Sequence, residues 1–317
     1  MGTTAHQVRQ HDNDRYPSRV APQPSLNDRM DPVVYGSTKD GPLDDAALTR
    51  YRDNGFLAFN GFFSEDELAP WRAELDRMRS DPAVRTMPST ITEPGSDDVR
   101  SIFAIHEHNG LLGRLCRDPR LVSIARQLLG GDVYFTQSRI NYKPGFKGKP
   151  FYWHSDFETW HVEDGMPNMR AISCSISLTP NTPENGPLML IPGSHKQFLA
   201  CVGETPEEHY KKSLKIQELG VPDDRNLARM VAEGGIEAPV GPAGSVTFFE
   251  CNLMHGSNSN ITPFARSNVF IVFNHCGNAL VEPFCGLPPR PQFIANRTDL
   301  TPIGTEGRLG RGYNVRR

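Results

Sequence analysis

Cysteine is sparse and carries no pattern. The six present, Cys116, Cys174, Cys201, Cys251, Cys276 and Cys285, form no CxxC pair and no zinc-like spacing, which excludes the common zinc and dithiol motifs. Free thiols in a reducing cytosol are the expectation. Apolar runs are short, and none approaches the ~18 residues that a membrane span needs. The opening Met1-Gly2-Thr3-Thr4-Ala5-His6 leads into polar residues without an apolar stretch, so no secretory signal is expected there. Long basic runs are missing too. With 34 Lys and Arg against 37 Asp and Glu, the formal net charge is −3, and nothing favours nucleic-acid binding. No internal repeat is visible, so a repeat architecture is not expected.

What the chain has in quantity is turn chemistry, with 28 glycines and 27 prolines among 317 residues. Residues 1–30 are polar and are expected to form a tail, because they bury too little to offset their ordering entropy. One domain is expected over 31–317. Leu48 to Asn54 reads as a short helix stopped by Gly55, and Phe56 to Phe59 as a strand. Ser64-Glu65-Asp66-Glu67 is a capping box that opens a helix to about Ser80. Pro119 to Leu129 is a second helix, with proline at its start and Gly130-Gly131 at its end.

From Asp132 the pattern turns to strands: Val133–Tyr142, Met169–Leu178, Leu188–Ile191, Ser245–Glu250 and Ser267–Asn274. Ile172, Cys174, Ile176 and Leu178 alternate with Ala171, Ser173, Ser175 and Ser177. That period of two gives one apolar face and one small polar face suited to a cavity wall. Residues 206–234 read as a helical or irregular insertion, and the Pro- and Arg-rich stretch after Gly277 as a surface wrap. Helices followed by at least six strands point to a mainly β fold with flanking helices. Its expected core is a double-stranded β-helix, jelly-roll or cupin-like.

One run carries chemistry: Phe151-Tyr152-Trp153-His154-Ser155-Asp156-Phe157-Glu158-Thr159-Trp160-His161. Taken alone, His154-x-Asp156 is weak, and His161-Val162-Glu163 is an equivalent pair a few residues on. A solvated surface pair reads the same way. The aromatic setting makes an unpaired ionisable pair costly, which favours a partner or a metal. Far downstream, His255 follows the strand around Phe248, and Arg266 opens the next strand. Two imidazoles and one carboxylate can hold one face of a divalent iron and leave the other open, as in non-haem Fe(II) oxygenases. The planar fork of an arginine suits a carboxylate presented by an iron-bound co-substrate.

The run from Phe151 to Pro167 closely resembles the signature of the ectoine hydroxylases, within the phytanoyl-CoA dioxygenase superfamily of 2-oxoglutarate-dependent oxygenases. Asp31–Tyr35, Tyr51–Phe56, the stretch from Met169 into Ile191-Pro192-Gly193-Ser194-His195, and Phe248–Asn274 also resemble that family. The resemblance implies Fe(II) bound by His154, Asp156 and His255, with 2-oxoglutarate and O2 as co-substrates. Arg266 would pair with the far carboxylate of 2-oxoglutarate, helped by Phe151, Asn141 and Ser257, with Ser173 as a further contact. The implied substrate is ectoine, held by Gln137, Thr159, Trp160, Phe249 and Phe270. The implied products are 5-hydroxyectoine, succinate and CO2, in compatible-solute synthesis under osmotic stress, by a cytoplasmic homodimer. Aromatic faces suit the flat, delocalised cation of such a substrate. Lys143 to Pro150 reads as a candidate lid. Two rivals stand beside this reading. One is a related hydroxylase of proline or another small cyclic amino acid. The other is a non-catalytic cupin-like binding protein, which would need no open coordination positions.

Overall fold

The structure is a computed structural model and describes residues 14–93 and 97–304. Its strands are β1 (Ser25–Asp28), β2 (Phe56–Phe59), β3 (Thr90–Thr92), β4 (Val99–Phe103), β5 (Val133–Lys143), β6 (Phe151–His154), β7 (Ala171–Ser177), β8 (Leu188–Leu190), β9 (Gln197–Ala200), β10 (Val246–Glu250), β11 (His255–Ser257) and β12 (Arg266–His275). Its helices are α1 (Asp45–Asn54), α2 (Glu65–Ser80), α3 (Pro82–Arg85), α4 (Ile105–His108), α5 (Gly110–Cys116), α6 (Pro119–Leu129), α7 (Asp156–Asp164), α8 (Tyr210–Ser213) and α9 (Asp224–Gly234).

Local chemistry sets the strongest boundaries. Asp44 caps α1 by accepting from the Ala47 N–H, and Gly55 ends it at φ 83°, a left-handed conformation that favours glycine. In the capping box of α2, the Ser64 N–H donates to Glu67 Oε2 at 2.8 Å. Proline opens α6 and Gly130 closes it.

Seven antiparallel strands form the large sheet, in the order β2-β10-β7-β12-β5-β4-β3, and three form the small one, β6-β11-β8. Alternation decides what each face of the large sheet meets. Ile172, Cys174 and Ile176 of β7, with Val269, Ile271 and Phe273 of β12, join Leu48, Leu68, Trp71, Leu121 and Leu128 in one buried cluster. This is the helix-covered face, and each such side chain contributes about 1.5–3 kcal/mol on burial. On the other face, Phe249 and Phe270 pack with Leu188 and Leu190 of the small sheet. The two sheets therefore close over a space at the polar end of β5, β7 and β12. This is the expected double-stranded β-helix with a helical layer on one side.

Two expectations need correction. Residues 1–13 of the expected tail lie outside the described residues, but residues 14–30 are built into the fold. Tyr16 is 1% exposed and meets Phe157 and Phe198 edge-on. Arg19 is buried against two carboxylates, and β1 pairs with β9, Ser25 opposite Ala200. Composition misled because this segment is held by one tyrosine, ion pairs and strand pairing rather than by many apolar groups. The stretch after Gly277 also does more than wrap the surface. Ile294, Ala295 and Asn296 are buried, and the Asn296 amide donates to the Phe135 carbonyl at 2.7 Å. The segment 206–234 contains α8 and α9, and Met230 of α9 packs with Ile191, Leu199 and Met254.

Candidate active site

β6 ends at His154, one residue turns the chain, and Asp156 opens α7. β6 runs antiparallel to β11, and that register sets His154 directly opposite His255. Their ring centroids lie 4.2 Å apart. Asp156 Oδ1 is 3.6 Å from His154 Nε2 and 3.8 Å from His255 Nε2. The ligand atoms of the three residues all fall within 4.8 Å of one another.

The outer contacts suit metal ligation. His154 Nδ1 sits 2.8 Å from the Tyr152 carbonyl and His255 Nδ1 2.9 Å from the Leu253 carbonyl. A carbonyl only accepts, so each Nδ1 carries the proton and each Nε2 offers a lone pair toward the other ligands. Burial, reinforced by His154, lowers His255 to about 4 and so keeps it neutral near pH 7. Burial alone would raise Asp156, but His255, His154 and Arg139 outweigh it and hold the carboxylate well below its ordinary range. Ser173 Oγ–H donates to Asp156 Oδ2 at 3.2 Å, which fixes the carboxylate's rotation. Two imidazoles and one carboxylate form the donor set that a ferrous ion takes with positions to spare.

The cavity beside this cluster runs along β5. Gln137, Arg139, Asn141 and Lys143 alternate on that strand and all line it, as a period of two requires. At its far end is Arg266, 5% exposed. Its only described side-chain bond is a long one, 3.4 Å, from Nη1 to Asn268 Oδ1, and its Nε has no partner. Among the described residues, no carboxylate comes within ion-pair distance of it. Burial lowers its pKa to about 10. A buried guanidinium with an idle N–H is a seat for an incoming carboxylate.

The other expected residues divide. Phe151 lines the cavity with its ring 4.9 Å from that of His154. Asn141 accepts from Ser101 Oγ at 2.7 Å, and Ser257 Oγ accepts from Lys143 Nζ at 3.0 Å. Thr159 and Trp160 follow Asp156 by three and four positions and so share its helix face toward the cavity. Gln137 and Phe270 line it too. Phe249 and Ser173 do not. Phe249 packs behind the ligand, its ring 5.0 Å from that of His255, and Ser173 meets Asp156 instead. The pair His161-x-Glu163 stays apart from the site. His161 stacks on Phe284 at 4.0 Å, and Glu163 pairs with Arg19.

Sequence reading missed much of the polar lining, including Arg139, Lys143, Gln217 and Arg290. The first two were signalled by the alternation of Gln137, Arg139, Asn141 and Lys143. Gln217 and Arg290 come from the insertion and the C-terminal stretch, where no local pattern marks them.

A double-stranded β-helix holding two histidines and one carboxylate at the mouth of its barrel defines the non-haem iron oxygenase class. The chain belongs to the phytanoyl-CoA dioxygenase (PhyH) family, whose profile matches residues 51–268. It is 56% identical over 291 residues to the ectoine dioxygenase of Stutzerimonas stutzeri (strain A1501), covering 92% of this chain and 96% of that one. The crystal structure of EctD from S. alaskensis with 2-oxoglutarate and 5-hydroxyectoine superposes with a TM-score of 0.81 at 47% identity, covering 90% of this chain and 95% of that one. The same S. alaskensis protein with bound Fe gives 0.82 at 46% identity, covering 92% of this chain and 97% of that one.

Proposed function

We propose that this protein hydroxylates ectoine to 5-hydroxyectoine, using Fe(II), 2-oxoglutarate and O2 and releasing succinate and CO2. The observation that carries the reading is a convergence. Three ligand atoms lie within 4.8 Å of one another, and the same cavity ends at a buried arginine that has no counter-ion among the described residues. His154, Asp156 and His255 would hold the iron, and Arg266 the far carboxylate of 2-oxoglutarate. Phe151, Asn141 and Ser257 flank that co-substrate. Iron held by these three ligands would supply the oxidising chemistry. The protein's part is to orient and exclude. Gln137, Thr159, Trp160 and Phe270 face the space beside Asp156, where polar groups fix the ring's orientation and aromatic faces cover its delocalised cation. Ser173 holds Asp156, and Phe249 backs His255.

The reading includes a cytoplasmic protein acting as a homodimer. No described helix is long and apolar enough to cross a membrane. Exposed Phe146, Ile261 and Phe264 lie on neighbouring loops, joined by the Phe146 N–H to Thr262 carbonyl bond of 2.9 Å, and offer apolar surface for a second copy. Light scattering in solution tests the dimer. The function is tested by aerobic incubation with ferrous iron, 2-oxoglutarate and ectoine, with proline in a parallel reaction. Mass analysis should find one added oxygen on ectoine alone, matched by succinate. Oxygen added to proline alone would favour the neighbouring hydroxylase, and binding without oxygen consumption would favour the cupin-like binder.

A further inference from the structure

We propose that Arg19, besides holding the fold, is a positioning residue for the substrate end of the cavity. It fixes the spacing between α7 and the segment 201–220 that meets α7 there. This rests on the reading above.

The segment leaves β9 and contains α8. Its Ser213, Leu214 and Gln217 line the cavity together with Thr159 and Trp160 of α7. Where the two walls meet, the Gln217 amide donates to Thr159 Oγ1 at 3.5 Å, too long a bond to set their separation. The separation is set behind the walls. Two positions along a helix turn a side chain by about 200°, so Glu158 leaves α7 on the side away from Asp156, and it is buried there. Arg19 meets Glu158 with two nitrogens, Nε to Oε1 at 2.9 Å and Nη2 to Oε2 at 2.7 Å. Its Nη1 reaches Glu163 Oε1 at 2.7 Å and Thr205 Oγ1 at 3.0 Å.

Both ends of the segment are fastened to this pair. At the start, the Arg19 N–H donates to the Cys201 carbonyl at 2.8 Å. Ser18 Oγ accepts from the Cys201 N–H at 2.8 Å and donates to Glu158 Oε1 at 2.7 Å. At the finish, Gly220 has φ 67°, and a Cβ there would collide with Glu158 Oε2 and stand 2.7 Å from Arg19 Nη2. Arg19 itself sits at φ 61°, a left-handed backbone that a long side chain adopts only where its surroundings over-determine it. A planar fork serves these partners together, which a lysine ammonium cannot. The iron ligands are held independently of this clamp. His154 and His255 are set by the pairing of β6 with β11, and Asp156 by Ser173. A fault at Arg19 should therefore reach the substrate before it reaches the metal or 2-oxoglutarate.

The test is steady-state kinetics on the full-length ferrous enzyme with ectoine and 2-oxoglutarate. Two variants are compared with wild type: Arg19→Lys, and Gly220→Ala, which presses on the same pair from the segment's side. Both should lower kcat/KM for ectoine roughly tenfold to a hundredfold, mainly through KM. The KM for 2-oxoglutarate and the iron content should stay near wild type. Succinate should exceed 5-hydroxyectoine, because a substrate held out of place is not hydroxylated in every turnover. A fall in kcat with both KM values and the product ratio unchanged would leave Arg19 purely structural and overturn the proposal. So would equal weakening of ectoine and 2-oxoglutarate, or wild-type kinetics in both variants. A wild-type protein that does not hydroxylate ectoine would instead defeat the underlying functional reading. Should Arg19→Lys fail to fold, Gly220→Ala decides alone by the same readouts.

Discussion

Two buried charge clusters lie within a few residues of each other on α7, and they are built on opposite plans. One is closed. Arg19 meets Glu158 and Glu163 at 2.7 Å each, His209 Nδ1 lies 2.8 Å from Glu163, and Arg290 grips Asp164 at 2.5 Å. The other, in the cavity, is open. His154 and His255 turn their lone pairs inward, and among the described residues no carboxylate lies within ion-pair distance of Arg266. A buried charge is tolerated only when paired, coordinated or neutralised. The closed cluster meets that condition inside the chain and ties the N-terminal segment, α7 and the C-terminal stretch together. The open one leaves it to be met by a metal and an anion.

The comparison breaks first at Asp156. Asp156→Ala should lose iron and reduce succinate release to background while the circular dichroism spectrum stays wild type. Wild-type turnover in that variant would remove the cavity from the chemistry. Next in size is Arg19→Met, which leaves buried Glu158 without its cation, while Glu163 keeps His209 and Arg290. Denaturant unfolding should show a loss of about 3–5 kcal/mol, with 2-oxoglutarate affinity of the folded protein near wild type.

Acid separates the clusters as well. In protein stripped of metal, His255 is lowered to about 4 from an ordinary 6.5, so the unfolded chain binds its proton first. Its contribution is complete above about pH 6.5 and is lost as pH falls toward 4. It amounts to at most about 3 kcal/mol. Burial opposes the ionised form of Glu163, but His209, Arg290 and Arg19 prevail and lower it to about 2 from 4.5. The closed cluster should therefore hold down to about pH 4.5 and weaken only below it. Unfolding curves from pH 8 to 3 should show the first loss reduced in His255→Gln, with His106 and His195 supplying the remainder because burial lowers them to about 4 as well, and the second reduced in Glu163→Gln. The smallest effect expected is also the most diagnostic. Arg266→Met should stabilise the metal-free protein by about 1–3 kcal/mol, because it removes a charge with no partner, while 2-oxoglutarate binding drops roughly a hundredfold. Destabilisation there would mean that Arg266 is structural, as Arg19 is.

Legibility in the sequence followed how local each signal was. The alternation through Ile172 to Leu178 became β7, with its apolar face on the helices and its serines toward the interior. The capping box at Ser64 and the proline and glycine around α6 marked real helix ends. β11 was not legible, since three residues form a strand only through their pairing with β6 and β8. Yet that pairing is what sets His255 opposite His154. The N-terminal segment was misread because its anchors, Tyr16 and Arg19, find partners more than a hundred residues away. Phe249 was assigned to the pocket by type; strand alternation does put it on the inner face with Phe270, but its ring packs against His255 rather than lining the cavity. Gln217 and Arg290 reach the cavity from stretches that carry no periodicity at all.

The most direct test is a crystal structure of the protein loaded anaerobically with ferrous iron and 2-oxoglutarate. One iron should lie between His154 Nε2, His255 Nε2 and the Asp156 carboxylate, with the far carboxylate of the keto acid against Arg266. Iron bound elsewhere, or a keto acid that leaves Arg266 without a counter-ion, would contradict the account.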